Sequence, residues 1–110
     1  MKDDRVYLLH IRDALGRIAD YTAPGRAAFL NDPRTQDAVV RNLEIVGEAA
    51  KRVSEKTRNL APDVPWRAVS GMRDKLIHDY FGVNLEIVWQ VVEREGPALR
   101  RHVDSILDRL

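Results

Sequence analysis

Apolar residues recur along this chain at steps of three and four in five separated stretches. Leu8, Ile11, Leu15 and Ile18 form the first stripe, behind Asp3 and Asp4, either of which suits a helix N-cap. The pattern predicts a helix that ends near Thr22, before Ala23-Pro24-Gly25. After a short helical piece around Ala27 to Leu30, Asn31 or Asp32 followed by Pro33 opens a second long helix. Proline is tolerated at that early position because its missing N–H would have no intrahelical partner there. Val39, Leu43, Val46, Ala50 and Val53 make the buried stripe of this helix, and Lys56 to Val64, with no sustained periodicity, reads as a connection.

A third main helix begins around Pro65-Trp66. Val69, Met72, Leu76 and Tyr80 repeat along it, Gly82 is a candidate C-terminal stop, and His78 falls in the last turn. Asn84 caps the next helix, in which Ile87, Val88, Val91 and Val92 are expected to face inward until Gly96-Pro97 breaks the pattern. Leu99, Val103, Ile106 and Leu107 define the last helix. Extended period-two alternation and Asn-Gly or Asp-Gly hairpin signals are absent. The expected fold is an all-α, up-and-down helical bundle of about five helices, in a single domain spanning residues 1–110.

Gly47 and Gly71 fall inside predicted helices, each at a cost of about 1 kcal/mol relative to alanine. Close approach of helix backbones would offset that cost. The Gly47 and Gly71 regions are therefore expected near one another or near a partner chain.

At 110 residues and 45% hydrophobic content the chain can build one small core. A symmetric partner that buries a further apolar face would help so small a domain, which makes dimerisation a reasonable expectation. The absence of cysteine excludes disulfides, thiolate metal sites and cysteine nucleophiles, and suits a reducing compartment; cytoplasm is the expected location. The charged start, Met1 to Val6, shows no export signal, and no stretch approaches a membrane span.

The formal net charge is only +1, but it is unevenly placed. Between Lys51 and Lys75 there are seven basic residues against three acidic ones. Such a surface suits contact with several phosphates, or is simply a solvated helix face.

Within that basic part, Arg73-Asp74-Lys75-Leu76-Ile77-His78-Asp79-Tyr80 sets an arginine, a histidine and a tyrosine at the spacing R-x-x-x-x-H-x-Y. Arginine carries a permanent planar charge that matches phosphate, and histidine titrates near neutral pH. The combination suits phosphate-ester chemistry without a metal: Arg73 on the phosphate oxygens, His78 taking or giving the proton. A five-residue step turns a helix by about 140°, so one copy of the pair converges poorly. Either the arginine reaches across a groove, or two copies meet across a dimer axis and surround one phosphate, which is the preferred geometry. The competing structural reading pairs His78 with Asp74 and Arg73 with carboxylates of a neighbouring helix.

Glu44 and Glu48 lie one turn apart, but no Glu-x-x-His pair of helices accompanies them as a di-iron bundle requires. Arg41, Lys51 and Arg52 are near enough to neutralise them, so both read as structural residues, with an ion pair that orients Arg73 among the roles open to them. His10 and His102 read as surface or packing residues, Trp66 and Trp89 as core or interface. No P-loop, G-x-G-x-x-G or G-x-S-x-G signature occurs.

Three ordered blocks carry more information than the short motif. Arg41-Asn42-Leu43-Glu44-Ile45-Val46-Gly47-Glu48-Ala49, Pro65-Trp66-Arg67, and Gly71-Met72-Arg73-Asp74-Lys75-Leu76-Ile77-His78 through Tyr80-Phe81-Gly82-Val83 closely resemble the HepT-like toxin family of the HEPN superfamily. The similarity spans roughly Asp4 to Leu107. It implies a homodimeric HEPN bundle with a metal-independent, cofactor-free ribonuclease site, acting on RNA such as tRNA or mRNA, built from the motif of both chains. By position, Arg73 and His78 correspond to the catalytic pair, with Asp74, Glu48 and Asn42 as candidate supporting residues. Tyr80 matches the tyrosine to which, in this family, a minimal nucleotidyltransferase antitoxin transfers AMP to silence the toxin. Two further readings stand beside this one: a non-catalytic regulatory or nucleotide-binding subunit of a nucleotidyltransferase complex, and a helical dimer in which the motif only builds an interface.

Overall fold

The computed structural model describes residues 3–78 and 83–110, and, for Arg73 and Leu76 to His78, the helical backbone without the side chains. All regular structure among the described residues is helical: α1 (Asp4–Thr22), α2 (Arg26–Leu30), α3 (Pro33–Arg52), α4 (Glu55–Arg58), α5 (Trp66–His78), α6 (Leu85–Gln90), a π-helical turn (Val91–Glu95) and α7 (Gly96–Arg109). None of these helices is long and apolar enough to cross a membrane.

The helix starts follow from side-chain chemistry. The Asp3 carboxylate accepts the Arg5 backbone N–H, and the Asp32 carboxylate accepts that of Arg34 ahead of Pro33. Each carboxylate satisfies an amide that has no intrahelical partner. Asn84 does the same for α6 through the N–H groups of Glu86 and Ile87. Between α1 and α2, Gly25 adopts φ of 101°, a left-handed conformation that favours glycine.

The expected stripes converge on one core. Leu8, Ile11, Leu15 and Ile18 of α1 meet Val39, Leu43, Val46 and Ala50 of α3, while Val103 and Ile106 of α7 close the other side. Full burial of each such side chain is worth roughly 1.5–3 kcal/mol. Phe29 of α2 lies against Trp89 of α6 with ring centroids 5.5 Å apart, and the two tryptophans are core residues. α5 packs on α3.

Three expectations need correction. Lys56 to Val64 is not wholly irregular: a one-turn helix, α4, begins just before it at Glu55, capped by Ser54, and so short an element leaves no periodic signal. Gly96-Pro97 does not end a helix. The Gly96 N–H bonds to the Val91 carbonyl, and this π-helical turn carries the rod from α6 into α7 past a proline that lacks a donor. A Cβ on Gly96 would touch the Val91 carbonyl oxygen at 3.4 Å, the near edge of ordinary van der Waals contact. Ile87 does not face inward: it is 50% exposed, whereas Val88, Trp89 and Val92 are buried. Gly47 is buried in α3, which packs on α5, whereas a Cβ on Gly71 would meet nothing within 4 Å among the described residues. The proposed stop at Gly82 lies outside the described residues.

Candidate active site

α5 carries the Arg73 and His78 positions of the motif, and its first half is firmly tied down. The Trp66 indole N–H is shared between the carbonyls of Arg58 and Ala61, at 3.1 and 3.0 Å. Arg58 donates to the Ala50 carbonyl near the end of α3 at 2.7 Å and lies 3.5 Å from the Ser70 hydroxyl of α5. One guanidinium thus adds a second donor to the Ala50 carbonyl, which also accepts from the Val53 N–H, and touches the next helix. Arg58 is therefore a structural bracket, and the basic surface expected from the sequence is carried instead by the exposed Lys51, Arg52, Lys56, Arg67 and Lys75.

Further along, Lys51 on the last turn of α3 lies 3.4 Å from the Asp74 carboxylate. Asp74 directly follows Arg73 and precedes His78 by one turn, so this pair fixes charge beside the motif. The backbones of Arg73 and His78 both belong to α5, about 7.5 Å apart along its axis and about 140° apart around it. The two positions thus sit on different faces of one helix, as the spacing requires. Their side chains, and Tyr80 altogether, lie outside the described residues.

The other candidates are accounted for individually. Asn42 is buried; its side-chain oxygen accepts from Arg17 Nε at 2.8 Å and its amide donates to the Ala38 carbonyl at 2.9 Å, which ties α3 to α1. Glu44 pairs with Arg41 at 3.7 Å and Glu48 with Arg52 at 3.3 Å, as expected, while Lys51 turns to Asp74 instead. His10 is exposed and meets the Tyr7 ring edge-on. Among the described residues no three His, Cys, Asp or Glu side chains gather as a metal cage. Sequence reasoning missed the Arg58 bracket and the Arg17–Asn42 tie, since neither has a local signature.

What the arrangement offers chemically is a helix with a fixed N-terminal half, a neutralised carboxylate, and an arginine and a histidine position close to its far end. A family model described as "Ribonuclease HepT-like" matches residues 11–106, a range that includes all of the motif. The chain belongs to the HepT-like ribonuclease family. Similar proteins include a "Probable ribonuclease HepT" of Thermococcus cleftensis, 43% identical over 101 residues, which cover 91% of this chain and 92% of the relative. A "Putative RNase" of Caldanaerobacter subterraneus subsp. tengcongensis is 42% identical over 110 residues, 99% of this chain and 98% of the relative. Another "Putative RNase", of Methanocaldococcus jannaschii, is 41% identical over 107 residues, 96% of this chain and 88% of the relative. No solved structure matches the chain. Membership in the HepT-like family agrees with the all-α bundle.

Proposed function

We propose that this HepT-like chain is a metal-independent endoribonuclease and the toxin of a toxin–antitoxin pair. The observation that carries the reading is family membership across 11–106 together with relatives named as ribonucleases over nearly their full length. Arg73 holds the scissile phosphate and stabilises the charge that grows on its oxygens. His78 takes the 2′-hydroxyl proton as that oxygen attacks phosphorus, or donates a proton to the departing 5′-oxygen. The products are a 2′,3′-cyclic phosphate and a free 5′-hydroxyl. Because Arg73 and His78 sit on different faces of α5, two chains related by a dimer axis supply the residues around one phosphate.

Tyr80 is the regulatory acceptor in this reading. Its phenolic oxygen attacks the α-phosphorus of ATP in the active site of a minimal nucleotidyltransferase antitoxin, pyrophosphate leaves, and the attached AMP places a bulky anion where RNA phosphate would bind.

The test is to incubate wild-type, Arg73→Ala and His78→Ala protein with total cellular RNA in EDTA and to map the ends. Cuts by the wild type alone, with cyclic or 3′-phosphate termini, are the expected result. Absence of cuts from unmodified, dimeric wild type would instead favour a non-catalytic partner of a nucleotidyltransferase. Incubation with the antitoxin and ATP is expected to add AMP to the wild type and not to Tyr80→Phe, as read by mass spectrometry.

A further inference from the structure

Between α5 and the rod that begins at α6 runs a groove of about 580 Å³. Leu43 of α3 forms its floor, Met72 lines it from α5, and Val88 and Val91 line it from the opposite rod. Lys75, Asn84, Gln90 and the Glu95 carboxylate bring polar groups to it. Ile87, half in water, lines it as well. A volume of this size lies within the usual range for small-molecule sites, roughly 300–1,000 Å³.

Three observations bear on what occupies it. Gly71 lines the groove, where the absence of a side chain leaves the surface of α5 flat, and among the described residues nothing lies within 4 Å of where its Cβ would be. Position around the helix is the second. Ala68, Gly71, Met72 and Lys75 share the groove face, and the seven-residue step from Gly71 returns His78 to within about 20° of it, about 10 Å further along the axis. The groove therefore leads along the face of α5 on which the His78 position lies, while Arg73 is turned well away from it. The third is chemical. Apolar walls suit the faces of an aromatic heterocycle, Gln90 offers a donor and an acceptor to its edge, and the Lys75 ammonium suits an adjoining phosphate. Asn84 has its side-chain oxygen committed to the N–H groups of Glu86 and Ile87, which leaves its amide N–H groups as donors.

We propose that this groove is a base subsite: it takes one nucleobase of the RNA substrate beside the scissile phosphate, with the ring between Met72 and Val91 and its edge toward Gln90. The proposal rests on the ribonuclease reading. It makes the groove the determinant of which nucleotide flanks the cut. An apolar groove also admits a second copy of the chain or an amphipathic helix, and the test separates these occupants.

Wild type, Gly71→Leu and Gln90→Ala are given an RNA library with randomised positions around the cut, and the ends are sequenced; oligomeric state and helicity are measured on each protein. In parallel the four nucleoside 3′-monophosphates are titrated against wild type and Gly71→Leu while the Ile87 and Val91 methyl signals are followed by NMR. The expected result is a base preference at one flanking position that both variants flatten, and nucleotide-dependent methyl shifts that weaken about tenfold or more in Gly71→Leu. Cleavage by all three proteins with the same base profile overturns the subsite, as does a wild type whose methyl signals respond to no nucleotide. A change of oligomeric state in Gly71→Leu with an unaltered base profile assigns the groove to a protein interface and overturns it too. If the wild type cuts no RNA, the ribonuclease reading fails, and the methyl titration decides the groove by itself.

Discussion

The Lys51 ammonium and the Asp74 carboxylate, on adjacent helices, lie 3.4 Å apart with both side chains about half exposed. A pair so open to water contributes only about 0–1 kcal/mol to stability. Its consequence is local charge: removing Lys51 takes one positive charge away from the Asp74 carboxylate, one turn before the His78 position, and the change in local charge favours the imidazolium. Lys51→Ala is therefore expected to leave the melting temperature nearly unchanged and to move the His78-dependent limb of the pH–rate profile to higher pH. Raising the salt concentration should shrink the difference between variant and wild type. An identical profile at low salt would show that Asp74 does not act on the histidine.

A second carboxylate predicts acid sensitivity of the fold. Burial pushes the Asp4 carboxyl up, but hydrogen bonds from the Ser54 hydroxyl, the Thr57 hydroxyl and the Ser54 backbone N–H outweigh it and hold the group below its ordinary 3.8. Asp32 is also lowered, chiefly by the Thr35 hydroxyl. For a depressed carboxyl, the unfolded chain binds more protons than the folded one just below the ordinary value. Its contribution is thus complete above about pH 4 and is lost as pH falls through the folded value. Asp4 also fastens the start of α1 to the start of α4, with Ser54 N 3.0 Å away. Asp4→Asn should cost about 1 kcal/mol at neutral pH. The variant's deficit, read by urea unfolding, should begin to narrow as pH falls to about 4 and shrink further as pH drops through the folded value.

Two glycines are expected to respond in opposite directions to alanine. At Gly71 the helix is regular and the new methyl meets nothing within 4 Å, so Gly71→Ala should stabilise the chain by up to about 1 kcal/mol. At Gly25 φ is 101°, and Gly25→Ala should destabilise by about 1 kcal/mol or more. Thermal melts of the two variants check both signs. A fall in melting temperature for Gly71→Ala would mean that something packs against that face in solution.

The stripes and caps were legible because each lies within one or two helical turns of sequence: Asp3 before Leu8 and Ile11, Asp32-Pro33 before Val39 and Leu43, Asn84 before Val88. What escaped depends on partners far along the chain. Ile87 looked inward because it adjoins Val88 and precedes Val91 by four, yet the surface that would cover it is the open groove opposite α5. Arg58 reads as surface charge, yet it is half-buried and its guanidinium is tied to the Ala50 carbonyl at the end of α3. The π-helical turn was read as a break because Gly96-Pro97 carries the same local signal in both cases. At the candidate site, the order Arg73 then His78 on one helix was legible, and so was their divergence around it; the Lys51–Asp74 pair was not, since it joins residues on two helices.

Asn42 provides the sharpest separation between a structural and a catalytic role within the motif blocks. Its side chain is buried and both ends are engaged, by Arg17 of α1 and by the Ala38 carbonyl of its own helix. Asn42→Ala leaves the Arg17 guanidinium without that acceptor and opens a small void between α1 and α3. The expected cost is about 1–3 kcal/mol, the usual penalty for removing one partner of a buried polar contact. Because that bond belongs to the α1–α3 seam, the variant should keep the pH–rate profile of the wild type at a temperature where both are fully folded. His78→Ala should do the reverse, with cleavage abolished and stability nearly unchanged. Measuring urea midpoints and cleavage rates on the same preparations tests the division: loss of cleavage in fully folded Asn42→Ala would place this residue in the site after all.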